Sequence, residues 1–261
     1  MSTPAQTGAG APRHGAESAP GHAVPSTQPH GVTGTPRHVV VTGTSSGIGL
    51  AIARTLLAQG WRVSGLDHAP PVLAEPGFTS IEIDLADPDA IAPVARRLGR
   101  VDALVHAAGV MRTGKLGELP LRAGHEMWRL HVDAATRLAD ALLPALPDGA
   151  RIVLIGSRAA SGIAGRSQYA ASKAALIGLA RSWAAELVTR GITVNLVSPA
   201  ATDTAMLRDP ARAGTAPKVP PIGRLIDPRE VAALVAYLLS PEAAAITGQD
   251  IAICGGASLN T

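Results

Sequence analysis

From His38 onward, short apolar runs alternate with longer helical segments, and this rhythm confines the chain to a layered architecture of strands and crossover helices. The runs Val39–Val41, Val63–Leu66, Ser80–Ile83, Ala103–Val105, Ile152–Ile155, Thr193–Val197 and Asp250–Ile253 read as strands. Helices are expected over Gly49–Gln59, Pro88–Leu98, Gly124–Leu143, the stretch that holds Tyr169 as far as Arg190, and Arg229–Leu239, with Gly60 and Gly191 as stops. The strands are almost continuously apolar, as strands are when helices cover both faces of a parallel sheet. The expectation is one doubly wound α/β domain with seven parallel strands, spanning residues 37–261. Composition agrees: 46% of the chain is hydrophobic but only 2% aromatic, so its core is built from Ala, Val, Leu and Ile.

Residues 1–36 differ. They are mostly Gly, Pro, Ala, Ser, Thr and His, too poor in large apolar side chains to offset their ordering entropy, and are expected to form a disordered tail. His14, His22 and His30 are widely spaced within it and give no metal site. The net charge is +3 with the arginines scattered, which leaves no footprint for nucleic acid. The single cysteine, Cys254, cannot form an intrachain disulfide and reads as a small core residue. No apolar run approaches the ~20 residues that span a bilayer, and no basic-then-apolar leader opens the chain, so a cytoplasmic protein with no membrane partner is expected. Little chain follows the last apolar run, so no separate substrate domain is expected.

Thr42-Gly43-Thr44-Ser45-Ser46-Gly47-Ile48-Gly49 lies directly between the first strand and its helix. Glycines there let the backbone turn sharply and approach a pyrophosphate, while the helix N-terminus offers unpaired N–H groups and a positive dipole end. The loop makes the sheet Rossmann-like in function as well as in order. Its spacing is not the common dinucleotide fingerprint, since three residues separate the first two glycines, and no lysine follows that would make it a P-loop. Asp67 ends the second strand, where a carboxylate can accept both adenosine ribose hydroxyls and repel a 2′-phosphate. With no Arg or Lys in the glycine loop, the cofactor expected is NAD. Asp84, after the third strand and followed by Leu85, is placed to meet the adenine amino group.

Tyr169 and Lys173 stand four residues apart in a chain with two tyrosines and three lysines. The segment Gln168–Ala175 is rich in helix formers, so a phenol and an ammonium share one helical face. A positive charge beside a phenol stabilises the phenolate and draws its pKa down from about 10, toward values useful for exchanging a proton with a substrate oxygen.

Together these residues resemble the classical short-chain dehydrogenase/reductase family over roughly His38 to Asn260. The glycine loop is similar to the family's TGxxxGxG, His106-Ala107-Ala108-Gly109 to its NNAG element, and Tyr169-x-x-x-Lys173 to its catalytic pair, with Ser157 where the family keeps a serine at the end of the fifth strand. Pro199–Thr204 and Gly248–Gly256 resemble its nicotinamide-contacting stretch and its last strand. The resemblance implies Tyr169 as general acid/base at the substrate oxygen. Lys173 would tune it and hold the nicotinamide ribose, and Ser157 would orient the reacting carbonyl or alcohol. Gly43, Ser45, Ser46, Gly47, Ile48, Gly49, Asp67, Asp84, Leu85, Ala107, Ala108, Gly109, Pro199, Thr202 and Thr204 would hold NAD. It implies an NAD-dependent oxidoreductase acting on a small-molecule secondary alcohol or ketone. The alternative is an NAD-binding regulator or scaffold that kept the fold and lost turnover.

Four departures stand out. His131 occupies the place of a family asparagine whose main-chain carbonyl holds a relay water; it can preserve that backbone role or join the proton path itself, since imidazole titrates near pH ~6.5. His106 replaces the first asparagine of the NNAG-like element. Ala200 stands where glycine is common, and the Ser157–Tyr169 interval is one residue short. Specificity is expected from Arg158–Gln168, Val110–Lys115 and a lid over Ala205–Ile222, with Arg158 and Arg166 able to meet a carboxylate or phosphate. Leu176, Leu179, Trp183 and Leu187 lie on more than one helix face, so a homodimer or homotetramer is expected.

Overall fold

The strand β1 (His38–Thr42) is buried along its whole length, with β2 (Arg62–Asp67) paired to one side and β4 (Ala103–His106) to the other. Four further strands, β3 (Phe78–Glu82), β5 (Arg151–Ile155), β6 (Thr193–Pro199) and β7 (Asp250–Ile253), complete one parallel sheet of order β3-β2-β1-β4-β5-β6-β7. The computed structural model describes residues 1–2, 35–209 and 218–259. Most of the expected N-terminal tail, including its three histidines, and the middle of the expected lid lie outside them.

Side-chain alternation on the strands feeds two cores. Val40, Leu104, Leu154 and Leu196 meet α2 (Ile91–Arg97), α4 (Ala134–Leu142) and α5 (Ser167–Leu187). Val39, Val41, Val105 and Val153 meet α1 (Gly47–Ala58) and α6 (Pro228–Leu238). Both sheet faces are covered, which explains the near-continuous apolar strands. The chain runs outward from β1 to β2 and β3, then crosses back to β4 on the other side of β1, and the crevice at the C-terminal ends of β1 and β4 is where a doubly wound sheet binds ligands.

The strand set agrees with the sequence reading, with β3 beginning at Phe78 rather than Ser80. Three helices start or end at least two residues from expectation: α1 starts at Gly47, α2 starts at Ile91, after an Asp87-centred turn, and α5 ends at Leu187 in a short 3-10 turn, Val188–Arg190, before Gly191 at φ 65. The expected Gly124–Leu143 helix is three pieces. It comprises α3 (Leu121–Trp128), a π-helical turn over Arg129–Asp133, and α4, and the amide of Ala134 donates five residues back to the Arg129 carbonyl. One residue inserted into the helical register carries no periodicity signal, and such π-turns concentrate at functional sites.

Leu176 is part of the core, whereas Leu179, Trp183 and Leu187 are half-buried against it. Among the described residues no helix is long and apolar enough to cross a membrane.

Candidate active site

The glycine loop turns where β1 meets α1. Gly43 and Gly47 hold φ of 75 and 54, and a Cβ on Gly49 would lie 2.2 Å from the carbonyl oxygen of Gly43. A side chain is excluded there by backbone, so the loop closes tightly onto the helix end. Gly43 also has no room for a Cβ, which would lie 3.0 Å from the Cα of Ala108. This brings the loop against the Ala107–Gly109 segment that follows β4.

A cavity of about 720 Å³ opens over this junction. Of the residues expected from sequence, Gly43, Ser46, Gly47, Ile48, Gly49, Ala107, Ala108, Gly109, His131, Ser157, Tyr169, Lys173, Pro199, Thr202 and Thr204 line it together. Ser45 and Asp67 stand behind the loop: the Asp67 carboxylate accepts the amide N–H groups of Ser45 at 2.9 Å and Ala69 at 3.0 Å. Asp84 and Leu85 do not line the cavity. Asp84 is exposed and accepts the amide of Ala86, and Leu85 is in the core. Ala257 and Leu259 line the cavity without having been expected, because the chain after the last strand carries neither periodicity nor a motif, and Gly256, expected only as part of the last-strand segment, joins them.

Ser157 follows β5 in extended backbone, and its Oγ accepts the amide of Ala159 at 3.1 Å. Tyr169 is 6% exposed on the first turn of α5, and Lys173, one turn later, is 4% exposed. The Lys173 ammonium donates to the Ile155 carbonyl at 2.8 Å, tying α5 to the strand end that carries Ser157. Burial pushes its pKa down from 10.5 to about 7.

Two buried histidines complete the setting, and their hydrogen bonds fix both tautomers. The Val110 amide can only donate, so His131 accepts at Nε2 (3.1 Å) and carries its proton on Nδ1, 2.9 Å from Ser172 Oγ. Ser172 passes its own proton to the Tyr169 carbonyl at 2.9 Å. Thr42 Oγ1 accepts two amides, from Ala107 and Ala108, so its hydroxyl proton turns to His106 Nδ1 at 3.2 Å. His106 Nε2–H then donates to Leu130 O, in the π-turn, at 3.1 Å. The imidazole at 106 thus supplies a donor from a position where the resemblance expected an amide. The His131 ring stands edge-on to Tyr169, with centroids 5.7 Å apart at 85°. Both of its nitrogens are engaged within the protein.

Burial holds the two imidazoles neutral, assisted by the Lys173 charge: His106 falls from 6.5 to about 3, and His131 well below its ordinary value. Bases with depressed folded pKa values take up protons more readily when unfolded, so acid favours the unfolded chain. The histidine contribution is present above about pH 6.5 and is lost as pH falls from there toward their folded values, while that of Lys173 grows from about 7 to 10.5. Stability of the nucleotide-free protein is therefore expected to rise between about pH 5 and pH 9. Urea midpoints across that range check it, and a midpoint that falls with pH would contradict the two-histidine assignment.

The sequence model of the family described as enoyl-(acyl carrier protein) reductase matches residues 43–258. The 3-oxoacyl-[acyl-carrier-protein] reductase FabG of Vibrio cholerae is 37% identical, over 83% of this chain and 95% of its own. A short-chain dehydrogenase/reductase from Serratia marcescens has a solved structure that superposes with a TM-score of 0.77 at 33% identity, covering 85% of this chain and 98% of that one. A blue fluorescent protein from a metagenomic library, solved in complex with NADPH, gives a TM-score of 0.75 at 33% identity over 85% and 98%. Fold, loop, Tyr–Lys pair and comparisons converge: the chain belongs to the short-chain dehydrogenase/reductase family of oxidoreductases.

Proposed function

We propose that the chain interconverts a small secondary alcohol and its ketone with NAD(H), using Tyr169 as general acid/base. The observation that carries this reading is the convergence of Ser157, Tyr169 and Lys173 on one cavity wall facing the glycine loop. A loop in which a Cβ at Gly49 would strike backbone suits a diphosphate, and the cavity beyond it has room for a nicotinamide and a substrate. The cofactor would supply the hydride chemistry. Lys173 would hold a ribose hydroxyl and favour the phenolate of Tyr169, Ser157 would fix the angle of the carbonyl or alcohol, and Thr204 would meet the carboxamide. The engaged ring of His131 favours its backbone carbonyl, not its imidazole, as the contributor to any proton path. The Vibrio relative is named for reducing a 3-oxo group, which is the same class of carbon. A regulator that only bound nucleotide would have no use for a phenol set beside a buried ammonium. The half-buried Leu179, Trp183 and Leu187 along α5 support pairing between subunits.

Asp67 supports NAD rather than NADP. Two of its acceptor sites are taken by backbone amides, others remain for ribose hydroxyls, and the carboxylate would repel a 2′-phosphate. The NADPH found with the metagenomic neighbour makes this the point to test. Nicotinamide fluorescence should show NADH binding more tightly than NADPH. Asp67→Ala should erase most of that preference, about ten- to hundredfold, through the lost carboxylate. NADPH binding as tightly as NADH to the unaltered protein would overturn the NAD assignment, and binding of neither would overturn the function.

A further inference from the structure

Five arginines among the described residues are withdrawn from full exposure: Arg112, Arg151, Arg158, Arg166 and Arg190. Three have partners. Arg112 reaches Glu126 and Asp209, Arg151 donates to the carbonyls of Gly149, Ala150 and Gly191, and Arg190 pairs with Asp148 and the Leu146 carbonyl. The guanidinium groups of Arg158 and Arg166 have no ion pair or hydrogen bond among the described residues; the Nε of Arg166 is buried without a partner, as is that of Arg151, whose Nη1 is nevertheless bonded to three carbonyls. The buried Nε of Arg166 gives up water and gains nothing from the fold, and neither guanidinium makes a contact that holds the fold together.

Both exceptions line the same cavity, on the wall that carries Ser157 and Tyr169. Among its described lining residues there is no Asp or Glu, and two further cations, Lys173 and Lys218, line it with them. The cofactor diphosphate belongs at the Gly43–Gly49 loop beside β1, whereas these arginines belong to the β5–α5 connection. The same cavity is lined by large apolar side chains, among them Met111, Ile163, Met206 and Val219. An apolar pocket with a few convergent polar groups is the form of a small-molecule site, and a guanidinium fork matches the planar oxygens of a carboxylate or the oxygens of a phosphate.

We propose that Arg158 and Arg166 bind an anionic group, carboxylate or phosphate, carried on an apolar skeleton whose alcohol or ketone carbon faces Ser157 and Tyr169. This rests on the oxidoreductase reading for the placement of the reacting carbon, whereas the anion site itself stands on the two arginines and the cavity.

The test is titration calorimetry of the protein, with and without NADH, using cyclohexanecarboxylate, cyclohexyl phosphate and the uncharged cyclohexanecarboxamide. The anions are expected to bind at least about tenfold more tightly than the amide, as a charge-assisted hydrogen bond provides, and to weaken with added salt. The tighter of the two anions identifies the group. The double variant Arg158→Met/Arg166→Met should lose the difference yet bind NADH as before, which also shows that it is folded. Equal binding of anion and amide to the unaltered protein overturns the proposal, as does a preference that survives in the double variant. If NADH fails to bind, the cofactor reading falls instead, and the comparison on nucleotide-free protein still decides the anion site.

Discussion

Tyr169→Phe is expected to lower kcat for ketone reduction by about 10²- to 10⁴-fold, the range that a positioned acid/base contributes, while NADH affinity stays near that of the unaltered protein. The substitution is clean because the ring is held by its surroundings. Tyr169 is 6% exposed, stands edge-on to His131, and shares a small apolar cluster with Met111, Met127 and Ala159. Phe keeps that packing and removes one oxygen, so any change in unfolding free energy should stay within about 1.5 kcal/mol, the net worth of a hydroxyl's hydrogen bonding. Stopped-flow NADH oxidation separates chemistry from binding. A raised KM with unaltered kcat would reassign Tyr169 from proton transfer to substrate positioning.

That substitution can be designed because the Tyr–Lys spacing was readable in the sequence: two chemically distinctive side chains one helical turn apart survive translation into structure unchanged. The strands were readable for a related reason, since a sheet covered on both faces demands apolar runs wherever it passes, and every run found from Val39 to Ile253 is a strand. The π-turn at Arg129–Asp133 was not readable, because one extra residue in a helix alters no periodicity. Its consequence was hidden too: Leu130 O and His131 meet His106 and Ser172 only after β4 and α5 are brought beside the turn. The histidines at 106 and 131 looked like independent departures from a family pattern. In the fold both lie within electrostatic reach of one buried ammonium, and both are tied to the same turn, His131 as part of it and His106 through the Leu130 carbonyl. Leu259 and its neighbours escaped because a cavity wall built by irregular chain after a strand follows no pattern that sequence can show.

Lys173→Met should divide activity from stability more sharply than any other change. Activity is expected to fall by about 10²-fold or more, because the phenol loses the charge that favours its ionised form and a ribose hydroxyl loses its donor. The nucleotide-free protein should meanwhile gain on the order of 1–4 kcal/mol, taking as guide the range for buried ion pairs that yield to apolar side chains of similar volume. Lys173 is fully enclosed, its ammonium has one hydrogen bond to the Ile155 carbonyl, and its pKa has dropped to about 7. Below about 7 the folded chain carries the whole burden of that charge, and from about 7 to 10.5 the burden fades as folding sheds the proton. The advantage of Met should accordingly be greatest near pH 6 and shrink toward about pH 10, as read from urea midpoints. A Met variant less stable than the unaltered protein at about pH 6 would mean that the ammonium is better paired than the Ile155 carbonyl alone allows. With NADH added the order should reverse, since only lysine can donate to the ribose and meet the negative cofactor, and ligand binding adds to stability in proportion to affinity. The buried ammonium is then a cost of the empty fold that the bound state recovers.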